Sequence, residues 1–173
     1  MNTPLYHNRN RSGSNIGVKL TSDDTNLAIL TTKFIQIQWK QNLGIDIEVE
    51  PLPFAQRVKN MQENNFEAMI ALWGADYNDP MTFLDMWVSD NESFNYMQYN
   101  SKAYDDLVKA ADKEVDLAKR SELLVDAEKQ LMADMPMAPL YYRTRTFVKR
   151  TSIHGLIMPS MSKEWELKWV SIH

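Results

Sequence analysis

Two carboxylates and two aromatic rings crowd one short stretch, Trp73-Gly74-Ala75-Asp76-Tyr77-Asn78-Asp79-Pro80, with a third carboxylate, Asp85, just beyond it. Carboxylates at this spacing could serve acid–base chemistry or hold a cation. Asp79 stands before Pro80, an order that suits a helix start: the proline takes the first turn and the aspartate accepts orphan backbone N–H groups. Asp79 therefore has a capping role, and Asp85 falls on the helix that follows, where solvation is its ordinary fate. Asp76 has neither duty. A loop carboxylate flanked by Trp73 and Tyr77 can pair with a cationic group such as an ammonium, with aromatic faces close by. It can equally cap N–H groups of its own loop, and the spacing does not choose between the two.

Other chemistries find little support. His7, His154 and His173 are the three histidines, far apart in sequence, without metal-ligand or H-E-x-x-H spacing, and they read as surface residues. No serine lies in G-x-S-x-G, and five glycines give no phosphate loop. Cysteine is absent, which removes disulfides, thiolate metal sites and a cysteine nucleophile. Arg143, Arg145, Lys149 and Arg150 form a basic cluster on a β-prone segment and read as a solvated strand face. A hydrolase acting through Asp76 and Asp79 is the enzymatic rival. The reading has no catalytic residue, no metal ligand and no cofactor.

The elements around Asp76 can be placed by pattern. Ala68 to Trp73 is a continuous apolar run of six residues between Asn64-Asn65 and Gly74. It is too short for a buried helix and reads as a strand covered on both faces. Asp76 then lies in the loop at the strand's carboxyl end, where open α/β sheets bind ligands. Upstream, Ile16 to Leu20 reads as a short strand. Leu27, Leu30, Phe34 and Ile37, widened by Ile35, Trp39 and Leu43, predict a helix with one buried face, closed by Gly44. Ile45 to Glu50 alternates apolar and acidic residues, as a half-buried strand near an edge does, and Pro51 and Pro53 end it. Phe54, Val58 and Met61 mark a short helix. The order strand, helix, strand, helix, strand predicts parallel pairing with right-handed crossovers.

After Pro80 a short helix carries Phe83, Leu84 and Trp87. Ser89 to Ser101 is a polar loop with interleaved aromatics. Two helices follow, over Ala103 to Ala111 and Asp116 to Asp134. Tyr104, Leu107 and Ala111 form the seam of the first, and Leu117, Leu124, Ala127 and Leu131 that of the second. Leu140 to Lys149 reads as a long strand, and Thr151 to His173 as irregular.

The chain has 173 residues, 44% hydrophobic and 24% charged, a composition ordinary for a globular domain. A net charge of -4 argues against a nucleic-acid partner. No apolar run approaches the roughly 20 residues of a membrane span. The lead, Met1 to Asn15, is polar with no apolar signal core, and nothing in it directs export.

Trp73-Gly74-Ala75-Asp76-Tyr77-Asn78-Asp79-Pro80 resembles the W-x-A-D-Y-x-[DE]-P segment of the oligopeptide-binding proteins of bacterial ABC importers, family 5 of the extracellular solute-binding proteins. Four more segments agree in order. Trp39 to Ile45 resembles W-K-x-N-L-G-V, and Tyr104 to Leu107 the start of a helix after N/K-S-x-x-[YF]-D. Arg120 to Leu131 resembles R-x-x-L-x-x-x-A-E-x-x-L, and Pro139 to Tyr142 the closing P-V/L-Y-Y strand. The match runs from about Val18 to Val148.

The resemblance implies an α/β fold, a mostly parallel sheet flanked by helices, as one lobe of a two-lobed periplasmic-binding-protein-like clamp. It implies a non-catalytic protein that captures oligopeptides and delivers them to an ABC permease. By family position Asp76 pairs with the peptide's N-terminal ammonium, and Trp73, Gly74 and Tyr77 line the same passage. Relatives of this fold also bind nickel complexes, haem or sugars. A self-standing oligomerising module without ligand is a rival from another class.

Family members are several hundred residues longer, so the chain is expected to be a C-terminal fragment of an extracytoplasmic, membrane-anchored protein. Residues 1–15 would be a polar lead and 16–138 the ligand-binding lobe. Residues 139–173 would form a strand and tail that cross to the other lobe. Asn65 to Leu72 carries none of the arginines that pair with the carboxylate of short peptides in some members. Trp73, Tyr77, Phe94, Tyr96, Tyr141, Trp165 and Trp169 are expected to include residues facing the other lobe. A homodimer through the Leu140 to Lys149 arm is one way to cover them.

Overall fold

The computed structural model describes residues 17–144, 146–159 and 165–173. In chain order the elements are β1 (Gly17–Asp23), α1 (Asn26–Leu43), β2 (Asp46–Leu52), α2 (Phe54–Gln62), β3 (Ala68–Met69) and α3 (Met81–Leu84). A 3-10 turn at Asp85–Trp87 leads on to α4 (Lys102–Lys113), α5 (Leu117–Asp134), β4 (Ile153–His154) and β5 (Ser171–Ile172). The chain forms two compact units, Met1–Ala71 and Leu72–His173.

The first unit is a parallel sheet in the order β2-β1-β3, as the alternation of strands and helices implies. Its centre is β1, not the apolar run. β1 pairs with β2 along its whole length, from Gly17 opposite Asp46 to Asp23 opposite Leu52. It meets β3 only at Leu20 opposite Ala68 and Thr21 opposite Met69. The expected covered strand at Ala68 to Trp73 is therefore corrected to a two-residue edge strand, half-buried, with Leu72 and Trp73 exposed. A run with no alternation calls for cover on both faces, and here the second half of the run is left exposed. The other edge, β2, behaves as its alternation implies: Ile47 is buried and Glu48 exposed. It continues through Pro51 to Leu52, beyond its expected end. An edge strand tolerates proline where the missing N–H faces away from the ladder.

Helix α1 has the predicted close at Gly44, and Thr25 caps its start. Thr25 Oγ1 accepts from the Ala28 N–H, and Gly44 at φ 69° closes the helix in the left-handed region that glycine occupies without strain. Its buried seam is not the predicted one. Leu27, Leu30, Phe34 and Ile37 are all more than half exposed. The covered side carries Ile29, Thr32, Gln36 and Trp39, with Thr32 fully buried and Gln36 Nε2 donating to Ile47 O at 2.6 Å. Periodicity identifies an apolar stripe but not the layer that covers it. A three-stranded sheet takes the neighbouring face. In α2, likewise, Arg57 and Asn60 are buried while Phe54 is exposed. The Arg57 guanidinium pairs with Asp23 at the end of β1 and lies 5.2 Å from the Phe54 ring centroid.

The second unit has the larger apolar core: Met81, Leu84, Val88, Tyr104, Val108, Ala111, Leu124, Ala127 and Leu131. Helices α4 and α5 supply most of it through the predicted seams, except that Leu117 is exposed. Asp116 caps α5 by accepting from Ala118 N and Lys119 N. Tyr104 is wholly buried, and its hydroxyl donates to Leu84 O at 2.6 Å. Asp105 accepts from the Ser89 N–H at 3.0 Å and from the Ser89 hydroxyl.

The long strand expected at Leu140 to Lys149 is absent among the described residues. Residues 140–144 and 146–150 adopt neither helix nor strand and are exposed, Tyr142 and Val148 almost completely. A β-prone segment becomes a strand only beside a partner, and no described strand lies along it. Arg145 of the basic cluster lies outside the described residues, as do His7 and the expected polar lead. In the tail, β4 and β5 pair antiparallel. They bring His154 and His173 together with ring centroids 5.7 Å apart, although the two are distant in sequence.

Candidate functional site

The predicted site residues Trp73, Gly74, Asp76 and Tyr77 all fall in the segment between β3 and α3. What holds this segment is a short frame built on Asp79 and Thr82. Asp79 Oδ1 accepts from the Met81 N–H at 2.9 Å, the capping role expected from the Asp-Pro order. The same carboxylate takes both guanidinium nitrogens of Arg120 on α5, at 2.7 and 2.9 Å. Arg120 Nε in turn donates to Ala111 O at the end of α4. A planar fork meeting a carboxylate in this way fixes direction as well as distance.

The loop hangs from this frame. Trp73 Nε1 donates to Thr82 O at 2.8 Å, and the Asp76 N–H donates to Thr82 Oγ1 at 3.2 Å. The Trp73 ring meets Phe94 edge to face, centroids 5.2 Å apart at 72°. Tyr77 donates through its hydroxyl to Asp85 Oδ2 at 3.3 Å. Burial, then the Asp85 charge, pushes the Tyr77 phenol above its usual range.

The Asp76 side chain is different from its neighbours. It is exposed, and no side chain or backbone N–H among the described residues donates to its carboxylate. Trp73 and Tyr77 are each part exposed, at 40% and 45%, leaving ring surface free on either side of it in sequence. Gly74 has no positive φ, and a methyl group there would meet nothing within 4 Å. Among the described residues neither conformation nor internal packing requires that glycine.

The carboxylates therefore do not act as a set. Asp79 is committed to Arg120, Asp85 to Tyr77, and Asp76 stands alone. A hydrolase using Asp76 with Asp79 would need the second carboxylate free. Among the described residues no group of three or more His, Asp or Glu side chains is placed to hold a metal. A cavity of about 630 Å³ lies on the Tyr77 and Asp85 side, lined also by Asp90, Glu92, Lys109 and Asp112. Trp73, Gly74 and Asp76 do not line it and lie on exposed surface.

Sequence reasoning missed Thr82 and the Arg120 fork. Arg120 and Asp79 were both visible inside separate recurring segments, 41 residues apart, and their pairing was the available signal. Thr82 left none, since a helix threonine ordinarily turns its hydroxyl back to its own helix, as Thr31 and Thr32 do.

Comparison with known proteins places these features in a family. The profile of the bacterial extracellular solute-binding proteins, family 5 Middle, matches residues 8–95. The oligopeptide-binding protein OppA of Bacillus subtilis is 30% identical over 144 residues, covering 83% of this chain and 26% of its own length. The periplasmic OppA of Salmonella typhimurium is 36% identical over 104 residues, 60% of this chain and 19% of that one. Among solved structures, OppA of Listeria monocytogenes bound to peptide superposes with a TM-score of 0.80 at 33% identity. The match covers 92% of this chain and 30% of that one. The substrate-binding domain of an oligopeptide ABC transporter from Bacillus anthracis gives a TM-score of 0.85 at 29% identity, covering 91% and 31%. The chain thus spans about a quarter of the length of the first curated relative it matches.

The Arg120 hydrogen bonds, followed by the Met81 N–H, hold the Asp79 carboxyl below its usual range. A lowered carboxyl pKa contributes stability that is complete above the ordinary value and is lost as pH falls through the lowered one. Asp79→Asn removes that contribution. The melting temperature of the variant, followed by circular dichroism, should fall less steeply than that of the wild type below about pH 3.9, the ordinary aspartate value. Parallel curves would place the Arg120 fork outside the forces that hold this unit.

Proposed function

The chain belongs to the bacterial extracellular solute-binding proteins of family 5, and on that premise we propose that it is the C-terminal lobe of an oligopeptide-capturing protein. In this reading a second lobe closes over the ligand. Residues 16–138 belong to the ligand-binding lobe, and 139–173 cross to the other one. The whole protein works outside the cytoplasm, anchored at the membrane, and hands its peptide to an ABC permease without chemical change. Asp76 receives the peptide's N-terminal ammonium, with Trp73, Gly74 and Tyr77 lining the approach. The observation that carries this reading is the Asp76 carboxylate. It is free of partners among the described residues, on a loop whose backbone and flanking indole are tied down. The peptide-bound Listeria structure supports the ligand class.

Charge decides the test. An ammonium–carboxylate hydrogen bond in a closed, desolvated cleft contributes on the order of 1.5–3 kcal/mol. On the open surface of this chain the same pair is screened and contributes about 1 kcal/mol or less, roughly a fivefold change in affinity. Half a clamp also keeps most of the ordering cost of binding while losing half the contacts. The 173-residue chain should therefore bind tetra-alanine weakly, detected by chemical-shift titration. Asp76→Asn should weaken tetra-alanine by about fivefold at most, and leave N-acetyl-tetra-alanine unchanged. Equal losses for both peptides, or submicromolar binding by the wild-type chain, would contradict this account of the site.

A second reading concerns association. The outward stripe of α1 (Leu27, Leu30, Phe34 and Ile37) and the exposed Tyr141, Tyr142, Phe147 and Val148 favour a chain that covers apolar surface by pairing. We propose a homodimer for the isolated chain, with the 140–150 segment as the exchanged arm. Sedimentation across a concentration series should show a monomer–dimer equilibrium. A strict monomer with low dye binding to apolar surface would remove both the dimer and the oligomerising-module alternative.

A further inference from the structure

Thr82 is buried to 3% exposure, yet it lies on a helix of four residues that begins at the end of the ligand loop. Both of its acceptor oxygens are used by that loop. The backbone carbonyl takes the Trp73 indole N–H and the hydroxyl oxygen takes the Asp76 N–H. Its own N–H donates to Asp79 O at 3.2 Å, so it is fixed in turn by the residue that Arg120 grips. Threonine is stiff about its first side-chain bond, which makes its hydroxyl a well-placed acceptor where serine's is looser. One buried residue thus sets two positions: the plane of the indole and the point from which the Asp76 carboxylate projects.

We infer that Thr82 is the positioning residue of the ligand surface, holding the Asp76 backbone through its hydroxyl and the Trp73 ring through its carbonyl. The inference rests on the proposed role of Asp76. Thr82 touches no ligand itself. It acts by lowering the entropy that Asp76 loses when an ammonium arrives, the ordinary gain from preorganisation. The two bonds can be separated, because substitution of the side chain leaves the carbonyl in place. Thr82→Val keeps the shape and removes only the acceptor for Asp76. Thr82→Ser keeps that acceptor.

The test uses the 173-residue chain, labelled for NMR, with tetra-alanine and N-acetyl-tetra-alanine as probes. In Thr82→Val the Asp76 amide should exchange with solvent at least about tenfold faster than in wild type, a loss of local protection. The Trp73 indole N–H and the Phe83 amide should keep their rates. Tetra-alanine should bind about threefold more weakly, and the acetylated peptide should be unaffected. Thr82→Ser, which keeps the acceptor on a looser side chain, should fall between Thr82→Val and wild type in both readouts, and Thr82→Val combined with Asp76→Asn should match Asp76→Asn alone. A packing role would instead weaken both peptides together and disturb the Trp73 signal. Unchanged Asp76 exchange, or equal loss for the two peptides in Thr82→Val, overturns the inference. If Asp76→Asn separates the two peptides and Thr82→Val does not, the Thr82 assignment alone fails. If Asp76→Asn treats them alike, or wild type responds to neither, the ammonium reading fails and takes the assignment with it.

Discussion

The carboxylate of Asp79 closes connections that nothing else in its unit duplicates. It caps α3 through the Met81 N–H and receives the Arg120 fork from α5, while its backbone carbonyl accepts from the Thr82 N–H. The loop from Trp73 to Tyr77 depends on this arrangement at second hand, since Trp73 and Asp76 both end on Thr82. Asp79 and Asp85 are engaged by Arg120 and Tyr77, and among the described residues no donor reaches the Asp76 carboxylate.

The same distinction between tied and untied groups runs through the rest of the chain. In the first unit the apolar stripe of α1 faces outward while the Thr32 side meets the sheet. In the second, residues 140–144 and 146–150 lie exposed without strand partners among the described residues. Both features leave apolar side chains at the surface, among them Leu30, Phe34, Tyr142 and Val148. Sequence patterns of helices and strands are set by everything an element packs against in the whole protein.

Much of the architecture was legible. The Gly44 close of α1, the Asp79 cap, the parallel pairing, the edge position of β2 and the α4 and α5 seams follow from short-range rules that residues carry with them: Gly44 adopts positive φ, Asp79 accepts the Met81 N–H, and Leu124, Ala127 and Leu131 recur at helical spacing. Partner choice was not legible. The run from Ala68 to Trp73 looked central because it lacks alternation, yet strand position depends on neighbours, and β1 took the centre. The 140–150 segment has strand propensity without a strand beside it. At the site, Asp76 stood out as a carboxylate with no local duty, whereas Thr82 was invisible, because a buried hydroxyl accepting from a loop six residues back has no periodic or compositional mark.

The account turns on an ammonium meeting the Asp76 carboxylate, and the ammonium itself can report the encounter. Tetra-alanine labelled with nitrogen-15 at its terminal amine can be titrated with pH, free and in the presence of saturating protein. The free amine titrates near the ordinary α-amino value of about 7.7–8.0. Pairing with a carboxylate favours the charged form, so the bound amine should titrate higher, and the rise should vanish in Asp76→Asn. An amine whose titration is unmoved or lowered on binding, or a rise that survives Asp76→Asn, would contradict the assignment of Asp76 as the residue that receives the peptide's N-terminus.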